Sequence, residues 1–189
     1  KAVDEVQQFI DDLRYRVKGI KENASNIGTN MHSLCEDYIT GKNPVEPTTE
    51  PLKTMFDKFK KFWKKRNFEI VETEKTYYSD ELDVCGTLDV LVKRKGKIGI
   101  LDFKTSKDFY PDMPVQIHTY KKLVEDSTKH KIEFLAVINI PKEPVKDVSI
   151  RFFDIKPRYL KAFKACKYLN NVEEDFKKRN EEYNKMRSK

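Results

Sequence analysis

The chain is 189 residues long and carries a net charge of +7, from 38 basic and 31 acidic side chains, an excess that suits a polyanionic partner without requiring one. Hydrophobic residues make up 38% and charged residues 37%, and because the apolar ones fall in periodic groups the composition excludes wholesale disorder. No apolar run approaches membrane-spanning length, the opening residues are charged unlike a signal sequence, and Cys35, Cys85 and Cys166 are too scattered for a disulfide framework or a zinc or iron–sulfur cluster, which predicts packed thiols in a reducing intracellular compartment.

Val3, Val6, Phe9, Ile10, Leu13, Val17 and Ile20 recur at helical spacing, so the chain is expected to open with an amphipathic helix. A second helix is expected from Thr29 to Ile39, entered through Asn26, Ile27 and Gly28. The breaker-rich stretch from Gly41 to Pro51 predicts a loop. Leu52, Met55, Phe56, Phe59, Phe62 and Trp63 then outline the apolar face of a third helix, whose other face bears Lys53, Lys58, Lys61, Lys64, Lys65 and Arg66.

From there the period is two. Strands are predicted over Phe68 to Tyr77, Val84 to Lys93 and Lys97 to Lys104, followed by a helix from about Val115 to Glu125. Two more strands, Ile132 to Ile140 and Val148 to Ile155, precede a long helix from Pro157 with Tyr159, Leu160, Phe163, Leu169, Val172 and Phe176 on its inner side. The order predicts one α/β domain in which helices flank a mixed central sheet. Residues 1–66 supply N-terminal helices, 67–155 the core sheet and helix, and 156–189 the long C-terminal helix.

The chemistry concentrates in Gly86-Thr87-Leu88-Asp89 and Leu101-Asp102-Phe103-Lys104-Thr105. A two-residue turn at Lys95-Gly96 would pair residues whose numbers sum to 191, setting Asp89 opposite Asp102. Like charges so placed repel, so a positive partner is needed. Asp102 and Lys104, two apart on one strand, project from the same face. Two carboxylates and an ammonium on one surface suit phosphodiester hydrolysis with Mg²⁺ or Mn²⁺, one or two ions, since hard oxygen donors bind such ions and lysine offsets charge on phosphate. The bland reading is a strand-end salt bridge.

The Gly-x-x-Asp and Asp-x-Lys-Thr elements, with Gly28-Thr29-Asn30-Met31-His32 upstream and Gln116-Ile117-His118-Thr119-Tyr120 downstream, resemble the PD-(D/E)xK nuclease superfamily and, within it, the RecB-like exonuclease branch. The resemblance covers about Gly28 to Tyr120 and implies a restriction-endonuclease-like core. It implies that Asp89, Asp102 and the backbone carbonyl of Phe103 ligate the metal, with His32 joining them and Glu74 approaching through water. It makes Lys104 the catalytic lysine, with Gln116 and Tyr120 bracing the site and touching phosphate. The four cysteines of iron–sulfur members are missing, so no cluster is expected. The implied activity is a metal-dependent DNA exonuclease preferring single-stranded ends, set in a bacterial or phage-infected cytoplasm or the mitochondrial matrix.

Alternatives remain at this stage. The same fold hosts endonucleases, and a catalytically silent nucleic-acid-binding protein would keep the charge without the chemistry. Thr105, Ser106 and Lys107 either bind phosphate or make a turn. Lys58, Lys61 and Lys65 either contact DNA or form a solvated helix face. Tyr77, Tyr78, Phe109 and Tyr110 either stack on unpaired bases or pack. His118 and His130 are expected to be ordinary histidines, and Glu36 a solvated helix residue.

Overall fold

The computed structural model describes residues 22–187; the helix expected over Val3 to Ile20 lies outside them. Four helices and five strands follow: α1 at residues 22–39, α2 Leu52–Lys64, β1 Glu69–Ser79, β2 Val84–Arg94, β3 Lys97–Lys104, α3 Asp112–Ser127, β4 Ile132–Asn139, β5 Ser149–Phe153 and α4 Pro157–Arg187. The class is α/β, a five-stranded sheet in the order β1-β2-β3-β4-β5 flanked by helices. Cα proximity divides the chain into two compact units. Among the described residues, one comprises those up to Ile70 with Phe103–Asp108 and Ile138–Ile150, and the other comprises Val71–Asp102, Phe109–Val137 and those from Arg151 onward.

The first unit is held by aromatic packing. Met55, Phe56 and Phe59 form the buried stripe of α2, as the spacing of its apolar residues predicts. Phe59 meets Phe103 edge-on at 5.5 Å and lies tilted against Trp63 at 5.7 Å, while Tyr38 of α1 stands edge-on to Phe56 at 5.9 Å. Gly28 does not break α1 but lies inside it. A Cβ there would come 3.2 Å from Oγ1 of Thr105, so the glycine serves close packing rather than the expected entry turn.

The second unit buries Leu88, Leu91, Ile100, Ile117, Leu123, Leu135 and Val137 in one cluster, with Leu160 and Phe163 of α4 packed against it. α3 begins three residues earlier than expected. Pro111 stands at its N-cap position and Asp112 in its first turn, where an acidic side chain complements the helix dipole. The inner face expected along α4 is corrected beyond its first turns, since no residue of that helix is fully buried. Leu169 and Phe176 are each 66% exposed and Val172 is 50% exposed. The thiols are corrected too: Cys35 is buried, but Cys85 and Cys166 are exposed.

β2 and β3 pair antiparallel from Arg94–Lys97 to Val90–Leu101, the register in which the numbers sum to 191. Lys95 and Gly96 form the turn with φ of 51° and 79°, the left-handed pair that a two-residue hairpin of matching twist demands.

Candidate active site

Asp89 and Asp102 lie one step beyond the last regular pair, Val90–Leu101. Leu88 and Leu91, three residues apart, both belong to the same core cluster. A strand of strict alternation would send them to opposite faces. β2 therefore departs from period two across Asp89, the kind of local irregularity that re-aims a side chain. Asp102 is 2% exposed and Asp89 is half-buried. A carboxylate as enclosed as Asp102 stays ionised only with compensating positive charge or hydrogen bonds.

The downstream pair is gathered as its spacing predicts. Gln116 Nε2 donates to the Tyr120 hydroxyl at 2.9 Å, one turn along α3. A Cβ on Gly86 would meet Cε1 of Tyr120 at 2.9 Å and Cδ1 of Leu123 at 3.2 Å. The glycine of Gly-x-x-Asp thus has a steric reason, because Tyr120 closes onto the strand three residues before Asp89. Glu74 is exposed and lies within β1 at a φ of 46°, a conformation in which a side chain other than glycine is strained.

Within the first unit, the His32 ring stands edge-on to Phe103 at 6.0 Å between centroids, beside the residue that follows Asp102. Lys104, half-buried, accepts a hydrogen bond from the Ile140 amide on its carbonyl at 2.7 Å. Ser106 donates from Oγ to the carbonyl of Asp108 at 2.7 Å, so its hydroxyl builds a turn. The Lys107 carbonyl accepts Lys146 Nζ at 2.9 Å.

No family model matches the chain, and no curated protein matches it by sequence.

Among the described residues, no three His, Cys, Asp or Glu side chains are gathered as a metal cage. Mg²⁺ needs less, since it keeps several waters and is held through one or two carboxylates plus substrate phosphate. The oxygen donors Asp89 and Asp102, with the Phe103 carbonyl next along the chain, fit that requirement.

The basic face of α2 is less uniform than its sequence. Lys58 Nζ donates to the carbonyls of Pro144 and Lys146, both at 2.6 Å, and lies 3.6 Å from Asp147, so its ammonium ties down that loop. Lys61, Lys65 and Arg66 line a shallow cleft with Phe62, with Lys58 and Asp147 at its edge. The Arg66 guanidinium covers the Phe62 ring at 4.5 Å, and its Nε is buried without a hydrogen bond among the described residues. Sequence reading placed Arg66 on this face but gave it no role. Arg66 lies just past the end of α2, so helical spacing did not announce its contact with the Phe62 ring.

Of the aromatic candidates, Tyr77 packs, being 4% exposed. Its hydroxyl donates to Glu72, and burial with that carboxylate pushes the phenol well above its usual range. Tyr78 and Tyr110 are exposed, whereas Phe109 is half-buried against the Arg151 guanidinium at 4.2 Å. His118 is an internally bonded core histidine, with Nδ1 2.6 Å from the Pro114 carbonyl and Nε2 accepting the Lys156 amide at 3.2 Å. Glu36 pairs with Lys42 at 3.2 Å. No helix among the described residues is long and apolar enough to cross a membrane.

Proposed function

We propose that this protein is a Mg²⁺- or Mn²⁺-dependent deoxyribonuclease acting through Asp89, Asp102 and Lys104. The observation that carries the reading is the position of two carboxylates on adjacent strands, immediately past the last regular pair of the hairpin, with Asp102 buried and Lys104 two residues further on. A cation held by Asp89, Asp102 and the Phe103 carbonyl would supply Lewis acidity toward a phosphate oxygen and acidify a water. Lys104 would offset the negative charge that grows on the phosphate and orient the attacking water. Gln116, bonded to Tyr120, would hold a phosphate oxygen in place. Lys61 and Lys65 would bind the backbone without reading sequence.

The resemblance adds His32 as a further ligand and a preference for a free single-stranded end. The experiment compares end-labelled linear and circular single strands in Mg²⁺ and in Mn²⁺. Wild-type protein should shorten linear strands and leave circles intact, and Asp102→Asn should reduce cleavage at least about a hundredfold. Digestion of circles at a similar rate would replace the exonuclease reading with an endonuclease. Cleavage that survives Asp102→Asn would remove the proposed centre altogether. Mn²⁺ should also raise the melting temperature of the wild type and not of Asp102→Asn.

A further inference from the structure

The closed end of the β2–β3 hairpin carries a second constellation, built from residues that no motif singled out. Gly99 in β3, Phe134 in β4 and Phe152 in β5 stand on three neighbouring strands. A Cβ at position 99 would lie 2.4 Å from each of three Phe134 ring atoms. The absence of a side chain at Gly99 therefore lets the Phe134 ring rest on the backbone of β3. Phe152 lies beside it, with ring centroids 6.2 Å apart and planes at 53°, and is 49% exposed. The Arg94 guanidinium lies 5.9 Å from the Phe152 centroid. Together Arg94, Lys95, Lys97, Phe134 and Phe152 line one shallow depression.

Its lining is two aromatic rings and three cations, with no acidic member. Covering the sheet accounts for Phe134 alone. It does not account for a half-exposed ring beside it, with Lys95 and Lys97 on the same rim. Aromatic faces with cations alongside are the means by which proteins hold unpaired bases, whatever their identity, while neutralising the flanking phosphates. A duplex offers no exposed base face, and an acidic peptide would satisfy the cations while leaving Phe152 in water.

We propose that this platform is an accessory site for a single-stranded polynucleotide, with a base stacked on Phe152 and adjacent phosphates on Arg94, Lys95 and Lys97. It shares with the nuclease reading the single strand as ligand, and does not require hydrolysis.

The test measures binding by the full chain in EDTA, which prevents metal-dependent cleavage. The probes are fluorescein-labelled oligo(dT) and an abasic strand of equal length. Wild type should bind oligo(dT) roughly tenfold more tightly than the abasic strand. Phe152→Leu, which keeps an apolar cover over Phe134, should cut that preference to below about threefold. Arg94→Gln with Lys97→Gln should weaken both strands equally and flatten the salt dependence by roughly 0.7 per lost phosphate contact. Equal affinity of the wild type for both strands, or a base preference untouched by Phe152→Leu, overturns the platform. So does failure to bind either strand at low salt. Cleavage by wild type and by Asp102→Asn reads the nuclease proposal separately. Base-selective binding without cleavage would leave the platform standing and remove the nuclease.

Discussion

The β2–β3 hairpin and the outer part of α4 have comparable apolar patterning and opposite fates. In the hairpin, Val90, Leu91, Val92, Ile100 and Leu101 are all fully buried. In α4, Leu169, Val172, Phe176, Tyr183 and Met186 follow one another at spacings of three, four, seven and three, and every one is exposed. A periodic pattern declares which face an element would bury. Whether that face is buried depends on what stands opposite: β3 has a strand on either side, whereas the apolar side chains of outer α4 remain exposed. The difference separates residues whose apolar character holds the fold from residues whose apolar character stays in water.

The comparison can be broken most forcefully at Leu101. Its replacement by alanine should destabilise the protein by about 2–5 kcal/mol in urea unfolding, through lost transfer energy and a residual cavity. A loss below about 1 kcal/mol would mean the hairpin is not the packed region described. Gly86→Ala comes next. The added methyl would have to displace Tyr120, at a cost of about 1–3 kcal/mol. It should also lower any cleavage that depends on the Gln116–Tyr120 pair, measurable as kcat on a labelled strand.

A smaller effect marks the packed start of α4. His118 contacts the Tyr159 ring at 4.6 Å and accepts the Lys156 amide. Burial, chiefly, and nearby Lys121 pull its pKa below the ordinary histidine range, against the opposing influence of the Pro114 and Asp154 carbonyls. The unfolded chain therefore takes up a proton at higher pH than the folded one. Stability should be fully present above about pH 6.5 and decline as the pH falls through and below that value. Melting temperatures at neutral and mildly acidic pH check this, and His118→Gln should remove that part of the decline. The smallest effect belongs to outer α4, where Phe176→Ala should change the unfolding free energy by no more than about 0.5 kcal/mol. A larger loss would reveal a partner for that face.

What the sequence made legible follows the same division. The strand Lys97–Lys104, the Lys95-Gly96 turn and the register were readable because they rest on local signals, alternation and a glycine at a left-handed position. Gln116 and Tyr120 were readable because four residues make one helical turn. Gly28 was misread as a helix entry because a glycine that breaks a helix and one that admits Thr105 look alike in sequence. Lys58 was grouped with Lys61 and Lys65 because its commitment to the Pro144 and Lys146 carbonyls joins segments more than eighty residues apart. Asp89 was expected at a strictly alternating position, yet Leu88 and Leu91 share one cluster, an irregularity that only packing around the strand can impose. Phe134 and Phe152 escaped notice for a related reason, since the closeness of Phe134 to Gly99 is a cross-strand property.

The two-residue turn also sets how this chain can change length. The loop from Gly41 to Pro51 can accept an inserted residue at little thermodynamic cost, because closure entropy grows slowly with length. Between Lys95 and Gly96 an insertion has a different meaning. If the added residue slipped the pairing by one position, the faces of β3 would exchange, sending Ile100 outward and turning Asp102 away from its enclosure. Any line of descent that keeps the paired carboxylates must therefore vary in length elsewhere, and the shortest loop in the hairpin becomes the part of the chain least open to insertion.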